Sequence, residues 1–108
     1  MTTFDNREKG FENKFAHDEE LRFKAEMRRN KLLGLWAAEL MGLSGPEAAA
    51  YAKEIVRADL REAGDEDVFA KLKSDFDARG IDMSNHRLRK MMEEKMAEAR
   101  RQVVAEAG

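Results

Sequence analysis

Gly42-Leu43-Ser44-Gly45-Pro46-Glu47 decides how this chain is divided. Glycine takes a left-handed backbone without steric cost and so ends helices. Ser44, three residues before Glu47, has the form of a capping box, in which the hydroxyl accepts from an orphan amide and the carboxylate reaches back. Pro46 is tolerated in a first turn. One helix therefore ends at Gly42 and another begins near Gly45. The same signals recur at Gly64-Asp65-Glu66-Asp67, where Asp65 is the expected cap and the acids suit the helix dipole, and at Gly80, after which Ser84 or Asn85 caps a last helix. The expected helices span about 18–41, 45–63, 66–79 and 85–106.

Apolar spacing supports that division. Leu21, Ala25, Leu32, Trp36 and Leu40 mark a face on the first segment, and Ala48, Ala52, Ile55, Val56 and Ala63 a small-residue face on the second, with Tyr51 close by. Val68, Phe69, Leu72 and Phe76 follow on the third, and Leu88, Met92, Met96, Ala99 and Val103 on the fourth. Ile81 and Met83, between the last two, are placed to cover an end of the core. The fold class is all-α: a small four-helix bundle, residues 18–108, preceded by a flexible N-terminal arm, residues 1–17. Sequence pattern leaves an antiparallel bundle and a more orthogonal arrangement equally open.

Composition sets limits on function. A chain of 108 residues, 43% hydrophobic, holds one modest core, and the absence of cysteine removes disulfides and thiol chemistry. The 20 basic and 22 acidic residues form a mixed surface without the one-signed field that nucleic acid or an anionic membrane attracts. No signal peptide and no membrane-inserting stretch is expected, which points to a cytoplasmic protein.

In the arm, Phe4, Phe11 and Phe15 lie at seven- and four-residue spacing among Asp5, Arg7, Glu8, Lys9, Glu12 and Lys14. A helix there carries one narrow aromatic stripe with nothing local to bury it. Gly10 and Asn13 are poor helix formers, so the free arm is expected to be disordered and to fold on binding, the alternative being that the three rings fold back onto the bundle as an extra half-helix. The candidate partner-binding residues are Phe4, Phe11 and Phe15 as buried anchors, with Arg7, Lys9 and Lys14 pairing with carboxylates around the rim of a cleft.

Motifs for chemistry are missing. Gly42-Leu43-Ser44-Gly45 lacks the lysine and the strand of a phosphate loop, and His17 and His86 lack the spacing that aims two imidazoles at one metal. His17 is read as a solvated residue beside a helix start, and His86 as a capping or surface residue. Asp75 with Asp77, or Glu93 with Glu94, do not face each other on a helix, and Ser44, Ser74 and Ser84 have no base arranged beside them. The protein is expected not to be an enzyme and to hold no metal. The basic run from Arg22 to Lys31 spreads its cations around a helix, and Trp36 and the cluster of Met91, Met92 and Met96 are read as core.

Several blocks carry a family resemblance. Thr3-Phe4-Asp5-Asn6-Arg7-Glu8-Lys9, then Phe15-Ala16-His17-Asp18-Glu19-Glu20-Leu21-Arg22-Phe23-Lys24, then Arg28-Arg29-Asn30-Lys31-Leu32-Leu33-Gly34-Leu35-Trp36-Ala37-Ala38-Glu39 resemble the zeta subunit of alphaproteobacterial F-type ATP synthases. The likeness continues through Tyr51-Ala52-Lys53-Glu54, Val56-Arg57-Ala58-Asp59 and Gly64-Asp65-Glu66-Asp67-Val68-Phe69. It implies a regulatory subunit that binds the catalytic head, its alpha, beta and gamma subunits, and blocks ATP hydrolysis. The arm would enter a catalytic interface as a helix, anchored by the four-helix body. It also implies association with the inner membrane through the synthase. The resemblance carries a link to adenine-nucleotide binding on the bundle, but no motif locates a site and no cofactor is expected to be required. Gly10 and Asn13 stand where family members often carry alanine, which costs roughly 1 kcal/mol of helix propensity when the arm folds and weakens inhibition. The competing reading is a helical interaction or nucleotide-responsive adaptor without strong inhibitory activity, which would recover partners other than the synthase from cell membranes.

Overall fold

The computed structural model describes residues 18–59 and 65–107. They form four helices, α1 (Glu19–Leu40), α2 (Gly45–Asp59), α3 (Glu66–Ala78) and α4 (Asn85–Ala107), with no strand among the described residues. The chain is all-α, as its composition and punctuation imply. The arm, the expected end of the second helix at 63 and the stop at Gly64 lie outside the described residues.

Glycine closes the helices where expected. Gly42 (φ +79°) and Gly80 (φ +72°) take the left-handed conformation. The amides of Leu43 and Ile81 then donate back to the carbonyls of Ala38 and Phe76, each at 2.9 Å, which satisfies the last turns of α1 and α3. Two N-termini are capped by side chains: Asp18 Oδ1 accepts from the Leu21 amide at 3.1 Å, and Ser84 Oγ from the Arg87 amide at 3.1 Å. Ser84, rather than Asn85, is therefore the cap of α4. Asp65 occupies the cap position of α3, yet its side chain makes no cap hydrogen bond. That carboxylate is engaged elsewhere.

α1 is the central element, packed along both α2 and α4, while α3 joins α2 to α4 by narrower contacts. The main core gathers Leu33, Ala37, Ile55, Val68, Leu72, Phe76 and Leu88, all fully buried, with Met83 closing one end. Burying each of the larger side chains is worth about 1.5–3 kcal/mol. Trp36 is half-buried, its ring edge-on to Phe76 with centroids 5.7 Å apart. A separate, smaller cluster joins Leu21 and Ala25 of α1 to Val103 of α4, with Met96 and Val104 at its margin.

The expected face of α1 needs correction. Leu21 and Ala25 are buried, but Leu40 is exposed and Leu32 only half-buried, whereas Arg29, Asn30, Leu33, Gly34, Ala37 and Ala38 are buried. A helix flanked by two neighbours buries two stripes, so a single-stripe pattern picks the wrong residues in its second half.

Candidate functional site

α1 begins directly after Asp18, the first described residue. Asp18 fixes that point by its cap hydrogen bond, and Glu19 and Glu20 place negative charge in the first turn, where the helix dipole favours it. On the next turn Phe23 is 52% exposed, an uncommon position for a phenyl ring. The partner-binding residues read from the sequence, Phe4, Arg7, Lys9, Phe11, Lys14 and Phe15, all lie outside the described residues, as does His17.

A polar layer crosses the body one turn beyond Ala25. Arg29 and Asn30 are buried at 6% and 0% exposure. Arg29 Nε donates to Asn30 Oδ1 at 3.0 Å, and the guanidinium faces Asp59 at 3.7 Å and Asp65 at 3.8 Å. These carboxylates close α2 and open α3, so one cation ties three helices together. Arg89 of α4 joins the layer: it reaches Asp65 at 3.9 Å, donates to Glu66 at 2.9 Å and lies 3.8 Å above the Phe69 ring. Asp65 therefore serves two arginines instead of its own helix. Asn30 Nδ2 is buried without a hydrogen-bond partner.

Beside this layer an open cavity of about 350 Å³ is lined by Arg29, Asp65, Arg89, Met92, Glu93 and Arg100, among others. Its lining carries the cations of Arg29, Arg89 and Arg100 and the carboxylates of Asp65 and Glu93, so most of the charge is balanced within the protein. A second polar cluster lies between α2 and α3. The buried Tyr51 hydroxyl donates to Asp75 Oδ2 at 2.7 Å, and Lys71 Nζ reaches the same oxygen at 3.1 Å and Glu54 at 3.5 Å. Burial, and then the hydrogen bond and negative charge of Asp75, push the Tyr51 phenol well above its ordinary value. It is a fixed hydrogen-bond donor.

Among the described residues no group of three or more His, Asp or Glu is placed to hold a metal ion, and no helix is long and apolar enough to cross a membrane. His86 is exposed and Asp75 is engaged by Tyr51. The basic run is largely consumed internally: Lys24 pairs with Glu20 at 3.4 Å, Arg28 with Glu106 at 2.8 Å, and Arg29 is buried. The sequence reading missed Arg29, Asn30 and Tyr51 as structural polar residues. A period-based search discards a charged residue on sight, and the signal that could have found Arg29 was its place on the line through Leu21 and Ala25.

A family model described as ATPase inhibitor subunit zeta matches residues 1–102. No curated protein matches the chain. A solved structure described as a solution NMR structure is 49% identical, with a TM-score of 0.70, and the match covers 80% of this chain and 98% of that one.

Proposed function

The chain belongs to the ATPase inhibitor subunit zeta family, and we propose that it stops ATP hydrolysis by inserting residues 1–17 as a helix between subunits of the ATP synthase catalytic head. A member of an inhibitor family is a regulatory protein rather than an enzyme, and its partner is the ATP synthase. The observation that carries the proposal is the pairing of a stripe of Phe4, Phe11 and Phe15, which has no local apolar neighbour in the sequence, with a body whose α1 starts at the Asp18 cap where that stripe ends.

The mechanism is differential binding. Rotary catalysis requires each catalytic interface to open and close in turn, and a helix that fills one cleft favours a single closure state over the others. Aromatic anchors gain their burial only in that state, and Arg7, Lys9 and Lys14 add rim contacts that set register. The alpha, beta and gamma subunits of the head are the proposed contact surfaces. The body contributes anchoring, which raises the local concentration of the arm at its cleft.

Hydrolysis by purified synthase titrated with the intact chain and with a chain lacking residues 1–15 tests the proposal. The intact chain is expected to inhibit and the shortened one to fold without inhibiting. Equal inhibition by both would assign the activity to the body and discard the arm.

A further inference from the structure

We propose that the last two turns of α4 act as a clasp that holds the first turns of α1 in a fixed place on the body, and that inhibition by the residues ahead of α1 draws on this fixed attachment point. The proposal rests on the reading of the arm given above. α1 is held in two different ways along its length. From Leu33 onward its buried residues belong to the main core that it shares with α2, α3 and α4. Ahead of Arg29, the described apolar contacts of Leu21 and Ala25 run to Val103, with Met96 and Val104 beside it, in a cluster separate from that core.

Polar contacts follow the same division. Arg28 Nη1 donates to Gln102 Oε1 at 2.7 Å and Arg28 Nη2 to Glu106 Oε2 at 2.9 Å, tying the first turns of α1 to the last turns of α4. The Arg29 and Asn30 layer then separates the two apolar clusters along α1. On the side of α1 away from Leu21 and Ala25, Phe23 is 52% exposed. The start of α1 is thus clasped from one side, and the residues that clasp it, Val103, Val104 and Glu106, lie beyond the residues 1–102 matched by the family model.

A tethered ligand binds in proportion to the local concentration its tether imposes, so a fixed attachment point strengthens the second contact once the body has docked. Releasing the clasp loosens that attachment point without altering residues 1–17. The exposed ion pair holds little by itself, and the buried Val103 carries the larger share.

The test uses the full chain with Val103→Ala, with Arg28→Glu, and with Arg28→Glu and Glu106→Arg together. Amide hydrogen exchange and inhibition of synthase hydrolysis are both followed. Val103→Ala is expected to speed exchange at residues 21–28 about tenfold while leaving Leu33 and Ile55 unchanged. It should also raise the concentration for half-maximal inhibition by about tenfold with the same limiting inhibition. Arg28→Glu should shift both readouts in the same direction by a smaller factor, and the charge-swapped pair should restore them. Exchange that rises equally at Leu33 and Ile55, or inhibition curves that superimpose on the unaltered chain, would overturn the clasp. Failure of the unaltered chain to inhibit would instead overturn the underlying reading of the arm.

Discussion

A Cβ placed on Gly34 of α1 would lie 2.5 Å from the Cα of Ala52 in α2, closer than carbon atoms approach without displacing backbone. The two helices meet here because one residue has no side chain and the other has a single methyl. Ile55 Cγ1, 3.3 Å from the same point, closes the contact from the next turn. Pairing of α1 with α2, and so the geometry of the main core, depends on this approach.

Gly34→Ala should therefore destabilise the body. Alanine gains up to about 1 kcal/mol in helix propensity, whereas overpacking against fixed backbone costs about 1–3 kcal/mol, and the short contact places the cost at the high end. A net loss of about 2 kcal/mol in urea unfolding is expected. A stability equal to or above that of the unaltered chain would mean that the helices separate freely at this point.

Arg29→Ala should cost about 3 kcal/mol, because it leaves Asp59, whose side chain is 12% exposed, without its cation. Arg29→Met fills similar volume but leaves the same carboxylate unpaired, so its loss should be only slightly smaller. Arg29→Met combined with Asp59→Leu removes both charges and should recover most of the stability in chemical denaturation. An additive loss in the double variant would show that the two residues do not act as a pair.

Tyr51, the single tyrosine of the chain, supplies a pH signature. Burial raises its folded-state pKa above the ordinary value near 10, so above that pH the unfolded chain has released a proton that the folded chain still holds. Stability then falls as pH rises, by about 1.4 kcal/mol per pH unit from this group. Tyr51→Phe lacks this loss. At neutral pH it should be less stable by about 1 kcal/mol through the missing hydrogen bond to Asp75, and that deficit should shrink above pH 10. Unfolding at a series of pH values decides the matter, and a constant deficit would place the hydroxyl in contact with solvent.

The helices could be read from the sequence because their ends are written in local chemistry. Gly42 and Gly80 need a left-handed backbone, and Ser84 offers a hydroxyl where an amide lacks a partner. The faces of α3 and α4 were equally legible, since each presents one principal apolar stripe, whereas on α2 Ala52 and Ile55 were read correctly, the buried Ala58 was not, and Ala63 lies outside the described residues. α1 was not, because a helix between two neighbours buries Gly34 and Ala37 as well as Leu21 and Ala25, and small residues carry little hydrophobic signal. The polar layer was hidden for a related reason. Arg29 and Asp65 are 36 positions apart in the chain, and only the tertiary arrangement brings charge and countercharge together. Asp65 was recognised as a helix-start residue, yet the two arginines outcompete the local amide for its carboxylate. The aromatic spacing of Phe4, Phe11 and Phe15 was visible from the sequence alone, and the proposal for what it binds came from the family.

The most direct measurement is ATP hydrolysis by purified synthase in the presence of the full chain with Phe4, Phe11 and Phe15 all replaced by alanine. Removing three rings proposed as the arm's anchors, at a hot-spot cost of about 2 kcal/mol each with incomplete additivity, should raise the half-inhibitory concentration by a factor on the order of 100 or more. The denaturation midpoint of the body should be unchanged. Inhibition at the same concentration as the unaltered chain would contradict the account, because the rings of the arm would then play no part in stopping hydrolysis.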